Sequence, residues 1–331
     1  MESIFQPRSE EVDNRGPPLL IINGAVTGVA AIVVALRIIS RALVVKRFGL
    51  DDWTITAATI TAILNVAVAG LGVKYGTGKH KWDLSKADAV PAAKLRYVTH
   101  IIYTVISGLI KLSICLLYLR LFPNIRRTTL GTIAFITAMS IAIILATIFQ
   151  CSPIDAVYNI TKYENYSCFP SIPFWYATAA LSLVTDIWIL LLPIKTILGL
   201  QVGTKKRFVL IGLLSMGAFA CIASIIRMVY IVKLYQSSDP SWDTFGVSVS
   251  SGIEVAIAII ASSIPSIKPI VDILFPRLFP TVNASHTAGD RMYGDSSKPV
   301  SHFRRQHEDM SLVQLTAKEY HGDEIEMGTQ R

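Results

Sequence analysis

Residues 98–121 read VTHIIYTVISGLIKLSICLLYLRL, and this stretch decides the fold. Apart from Lys111 near its middle and Arg120 at its end it carries no formal charge. At about 1.5 Å per residue, a helix of this length crosses the roughly 30 Å of hydrocarbon in a bilayer. A strand of a membrane barrel would alternate polar and apolar residues, and this segment does not. Its polar residues His100, Thr104, Ser107 and Lys111 recur instead at i, i+4, i+7 and i+11, which places them on one face of a helix.

Six more segments repeat the pattern, over about 19–40, 53–73, 129–150, 172–198, 208–232 and 246–274. The 331 residues are 52% hydrophobic and only 16% charged, where a soluble domain carries about 25% charged residues. The reading is an all-α membrane protein: a seven-transmembrane helix bundle over 19–275, an extracellular N-terminal tail over 1–18, and a flexible, disordered cytoplasmic tail over 276–331. The net charge of +8 sits in loops beside spans, as the positive-inside bias and anionic lipid headgroups require, so the bilayer is the expected partner and nucleic acid is not. Residues 1–18 hold Glu2, Glu10, Glu11 and Asp13, unlike a cleavable signal peptide, and the first span is expected to direct insertion.

Lys and Arg divide evenly between the two sets of loops, so charge alone does not orient the bundle. The loop between spans four and five does. It carries the sequons Asn159-Ile160-Thr161 and Asn165-Tyr166-Ser167 together with Cys151 and Cys168, and both glycosylation and a disulfide belong to the extracellular or lumenal side. This predicts the N-terminus outside, the C-terminus inside, and Asp51, Asp52, Arg126, Arg127, Lys205, Lys206 and Arg207 facing a cytoplasmic partner.

Charges at membrane depth cost several kcal/mol unless paired or hydrated. Lys111 and Asp186 fall near the middle of their spans, and Arg227 and Glu254 nearer the outer ends of theirs, which predicts two pairs of opposite sign at matched depth. His100 joins the same polar set, and Asn65, Arg37 and Gln150 are lesser members of it that read as packing contacts. Two readings stand for the set: a cavity in which these groups hold a ligand or switch partners, and static links between helices.

Other chemistries lack their residues. The glycine-rich run Gly70–Lys79 departs from the phosphate-binding pattern at Val73 and His80, leaving an external turn with a basic rim. No histidine or cysteine spacing suits a metal, no paired nucleophile and base stand within a span, and no cofactor is implied. Retinal requires a lysine midway along the seventh helix, whereas Lys268 lies near the end of that span.

Several segments are shared with a known family. Arg37-x3-Arg41 followed by Gly49-Leu50-Asp51-Asp52-Trp53, the run Tyr75-Gly76-Thr77-Gly78-Lys79-His80 with Trp82-Asp83, Lys111-Leu112-Ser113-Ile114, Tyr118 to Phe122, Gln150-Cys151-Ser152-Pro153, Asp186 with Leu192-Pro193-Ile194, and Arg227 together resemble the fungal rhodopsin-domain family over about residues 19–275. Tyr158 stands where that family often has Trp. The resemblance implies seven helices, no enzymatic activity and, for some members, a receptor-like role in filamentous fungi. The functional expectation is a plasma-membrane receptor that senses an unknown small ligand and signals to a cytoplasmic partner such as a G protein; the alternatives are a transporter of a small metabolite and a structural membrane protein.

Overall fold

A computed structural model describes residues 14–46, 48–159, 162–194 and 204–274. Seven long helices follow one another: α1 Gly16–Ile39, α2 Leu50–Lys74, α3 Lys86–Leu121, α4 Arg126–Ile148, α5 Ser171–Leu191, α6 Thr204–Gln236 and α7 Pro240–Leu274. Each contains a stretch long and apolar enough to cross a membrane. The tail predicted over 276–331 and residues 1–13 of the tail predicted over 1–18 lie outside the described residues, whereas Gly16, Pro17 and Pro18 of that tail already open α1; also outside are Ile160 and Thr161 of one sequon and the side chains of Lys205, Lys206 and Arg207.

The surface is inverted relative to a soluble protein. Ile21, Ile60, Val184 and Trp53 are more than half exposed, whereas Arg37, Asp52, Lys111 and Arg227 are buried. Lipid tails solvate the apolar outer faces, so packing and polar contacts hold the helices to one another. α3 is the central helix, packed against α2, α4, α5 and α7. One core joins α1, α2, α3 and α7 through Val34, Ile55, Ile106 and Ile259, with Ala58 and Ala62 letting α2 approach α3 closely. A second joins α3, α4 and α5 through Leu117, Tyr118, Ile136 and Ile189.

Two helices begin well before the apolar segments that mark them in the sequence. α3 starts at Lys86, with the Ser85 hydroxyl accepting from the Ala87 N–H, and α7 starts at Pro240, with Asp239 accepting from the Trp242 N–H. Hydropathy marks what must lie in hydrocarbon, whereas capping marks where hydrogen bonding begins.

Glycine is required at two close approaches. At Gly252 an added Cβ would lie 2.1 Å from Asn23 Oδ1, where α1 crosses α7. At Gly78 the turn after α2 has φ +95°, and its carbonyl accepts from the Arg15 N–H at 3.0 Å. The loop between α4 and α5 is closed by a short antiparallel pair, Cys151–Ser152 with Ser167–Cys168, and by the Cys151–Cys168 disulfide. This marks one end of the bundle, here the disulfide end; the α1–α2 turn lies at the other.

Candidate functional site

α3, α5, α6 and α7 bring four charges together in the interior. Lys111 Nζ lies 3.1 Å from Asp186 Oδ1 and donates to Ser182 O and Oγ at 3.0 Å each and to Thr185 Oγ1 at 2.7 Å. The spacing of Ser182, Thr185 and Asp186 on α5 directs all three toward one ammonium group. Arg227 Nε approaches Glu254 Oε2 to 2.8 Å, although the N–H is not aligned for a hydrogen bond. The guanidinium lies 4.5 Å over the Tyr103 ring.

The two pairs form one chain. Ser224 Oγ stands 2.8 Å from Glu254 Oε1 and 3.2 Å from Asp186 Oδ2, and the Tyr103 hydroxyl donates to Glu254 Oε1 at 3.1 Å. A serine hydroxyl has a single proton, so Ser224 donates to one carboxylate at a time and couples the two pairs. A cavity of about 80 Å³ opens on this chain, with Asp186, Ser224 and Glu254 at its polar side and Ile114, Leu117 and Ile189 at its apolar side. A smaller one of about 50 Å³ lies toward the disulfide end, lined by His100, Trp175 and Arg227 among others. Tyr103, Ser107 and Lys111 line both.

A second charged cluster sits at the other end. Arg37, fully buried, donates to Asp52 Oδ1 at 2.8 Å, Asp51 Oδ2 at 2.6 Å and the Ser262 carbonyl at 2.7 Å. The last turn of α1 widens into a π-helix over Ser40–Val45, which carries Arg41 to 3.6 Å from Asp52 and lets it donate to Ser266 Oγ at 2.9 Å. Arg120 completes the cluster, 3.5 Å from Asp51. Asp51 and Asp52 are 3% and 0% exposed, so the expectation that they face a cytoplasmic partner is corrected: the tight turn from α1 to α2 folds them back onto the arginines that precede it. Arg126 and Arg127 are exposed at the start of α4.

At the disulfide end the glycine-rich turn docks on the start of α7. His80 stacks between Trp82 and Trp242, with ring centroids 4.6 and 3.9 Å away, and its Nδ1 lies 2.7 Å from Asp239 Oδ2. Arg15 covers the other part of the aromatic cluster, 4.0 Å from the Trp242 ring centroid. In the loop after α4, the Tyr158 hydroxyl donates to Asp155 at 2.5 Å and holds that carboxyl below its ordinary range, helped by Lys162. Asn165 is exposed, whereas Asn159 is half-buried.

The fungal rhodopsin domain matches residues 36–273. The chain belongs to this family. It is 29% identical over 221 residues to a SAT4 family membrane protein of Emericella nidulans, covering 65% of this chain and 56% of that protein. It is 26% identical to the polyenoic acids biosynthesis gene cluster protein Ba17b of Metarhizium anisopliae, over 74% of this chain and 71% of that protein. It is 25% identical to Receptor GIN3 of Arthrobotrys oligospora, over 82% of this chain and 68% of that protein. No solved structure matches the chain.

Both charged clusters fall inside the matched fungal rhodopsin domain, and the structure sorts the residues singled out in its sequence. Lys111, Asp186, Arg227 and Glu254 meet directly, and His100 shares the smaller cavity with Lys111 and Arg227, edge-on to Trp175 at 3.9 Å. Asn65 does not join them. It lies on α2, which packs on α1 and α3, and it lines neither cavity; its Oδ1 has no hydrogen-bond partner among the described residues. Tyr103 and Ser224 escaped the sequence reading, although Tyr103 stands four residues before Ser107, on the face already marked, and Ser224 three before Arg227. Arg37 was taken for a packing contact. Its signal was two arginines at i and i+4 ending one helix and two adjacent aspartates opening the next.

Proposed function

We propose that this fungal rhodopsin-domain protein is a receptor: it binds a small molecule from the disulfide end and signals to a G protein at the other, without enzymatic chemistry of its own. The observation that carries the reading is the shared Ser224 hydroxyl, whose single proton has Glu254, Asp186 and the Ala220 carbonyl within reach at 2.8, 3.2 and 3.1 Å and so gives the ion-pair chain alternative arrangements. A ligand that favours one arrangement over the other shifts the population between them. The larger cavity reaches Ser262, whose carbonyl binds Arg37, so the interior chain and the distal cluster meet on α7. The similarity to Receptor GIN3 supports the same class.

The disulfide end is then extracellular, with Asn165 as an exposed glycan acceptor, the N-terminus outside and the chain in the plasma membrane. Arg126 and Arg127 are then available to a cytoplasmic partner at the other end. They are exposed at the N-terminus of α4, where the helix dipole disfavours cations, and no acidic residue in that turn offsets them.

A transporter is the second reading, favoured by the two cavities that meet at Lys111. The experiment is guanine-nucleotide exchange on a purified fungal G protein by the chain reconstituted in nanodiscs. Catalysed exchange that Ser224→Ala alters is the expected result. Absence of exchange, together with saturable solute flux in vesicles that Lys111→Met abolishes, contradicts the receptor reading and favours transport.

A further inference from the structure

The smaller cavity is asymmetric in charge. Two cations, Lys111 and Arg227, face it, and none of the described residues that line it is acidic. Their partners Asp186 and Glu254 line the larger cavity instead. The smaller space therefore sees the positive ends of two ion pairs whose negative ends point away.

The two cations also differ in how well they are satisfied. Lys111 has four oxygen neighbours between 2.7 and 3.1 Å, which saturates an ammonium group with three donors. Arg227 is 5% exposed, yet its Nε is buried with no aligned acceptor among the described residues. Among the described residues its partners are the misaligned carboxylate of Glu254 and the face of Tyr103. A guanidinium carries five donors in a planar fork, and leaving such a group buried without acceptors is costly. Its natural complement is a carboxylate, which accepts two parallel bonds.

We infer that the cavity between α3, α4, α5 and α6 is a binding site for a small monocarboxylate, held by Arg227 and faced by Lys111. This rests on the receptor reading only for its consequence, since it names the ligand class of that receptor. The volume of about 50 Å³ leaves room for a few non-hydrogen atoms at roughly 10–15 Å³ each, the size of acetate. The Ser140 hydroxyl lines the wall and supplies a further donor, whereas those of Thr104 and Thr178 already donate to the carbonyls of His100 and Trp175. A bound carboxylate competes with Glu254 for Arg227 and leaves Glu254 to Tyr103 and Ser224. That biases the Ser224 proton toward Glu254 and away from Asp186, which is the shift between arrangements that signalling requires.

The test uses the full chain in nanodiscs, with tryptophan fluorescence read against acetate, its neutral isostere acetamide, and chloride at constant ionic strength. Trp175 lines the cavity and supplies the signal, which Trp175→Phe removes. The expected result is a saturable response to acetate, at least about tenfold weaker for acetamide and for chloride. Arg227→Gln is expected to weaken acetate by at least about tenfold. Because that variant strands Glu254 and risks misfolding, Thr178→Leu fills the cavity without touching either ion pair and is expected to have the same effect. A response shared equally by acetate and acetamide or chloride, no saturable response, or acetate affinity unchanged in Thr178→Leu overturns the site. Acetate binding without nucleotide exchange leaves the site standing and removes the receptor reading. Exchange without acetate binding does the reverse.

Discussion

Replacing Arg37 by Met tests how the α1–α2 end of the bundle is held. The side chain is fully buried and makes three short charge-assisted bonds, of 2.6, 2.7 and 2.8 Å. Methionine fills much of the same volume, so the cavity term is small and the electrostatic term dominates. Removing one partner from a buried ionic cluster costs about 3–5 kcal/mol, because the charge left behind is uncompensated. Here Arg41 remains 3.6 Å from Asp52 and Arg120 3.5 Å from Asp51, so part of the compensation survives. The expected loss is at the low end, about 3 kcal/mol, or roughly a hundredfold in the unfolding equilibrium. Adding Asp52→Asn removes one stranded carboxylate and should recover more than half of that loss, since Asp51 then keeps two arginines to itself. The assay is reversible unfolding in mixed micelles titrated with dodecyl sulfate, followed by circular dichroism. A loss below about 1 kcal/mol, the value of an exposed pair, or a double variant no more stable than the single one, refutes the reasoning.

Three further outcomes follow from the same geometry. Lys111→Met and Asp186→Leu should each destabilise the chain by about 3–5 kcal/mol, and the double variant by much less than their sum; additive losses would show that the 3.1 Å contact is not a coupled pair. Asn165→Gln should remove an N-glycan mobility shift and Asn159→Gln should change it less, because Asn165 is exposed and Asn159 half-buried; a glycan on Asn283 instead would invert the proposed topology. Asp155 should titrate below the ordinary carboxylate range, so its stabilisation of the loop is complete at neutral pH and fades only as pH falls through that lowered pKa; Tyr158→Phe should move it back toward the ordinary carboxylate range, and an unchanged titration would contradict the assigned cause.

The fold was almost wholly legible in the sequence, because a run such as 98–121 admits one solution in a bilayer and seven such runs define the bundle. The interior pairs were legible for a related reason: Lys111 and Asp186 are rare charges in long apolar spans, and matching their depth along each helix nearly fixes who meets whom. Asp51 and Asp52 were misread because they sit at a span boundary. There a charge is equally at home in a headgroup layer or folded under a tight turn, and only the geometry of the π-helical turn before them decides. Asn65 reads in the sequence as a packing contact at the margin of the polar set, and in the structure it lines neither cavity. A polar residue within a span marks membrane depth, but the side of α2 on which it lies depends on which helices become neighbours. Ser224 and Tyr103 are common residues with no unusual local signal, and their role as links emerges only when four helices converge.

The most direct measurement of the receptor account is co-isolation of the full chain from fungal membranes with a heterotrimeric G protein, with and without a non-hydrolysable GTP analogue. The account predicts an association that the analogue releases, and that Arg126→Glu with Arg127→Glu weakens while the folded chain still reaches the plasma membrane. A chain that reaches the membrane, folds, and shows no nucleotide-sensitive association contradicts it.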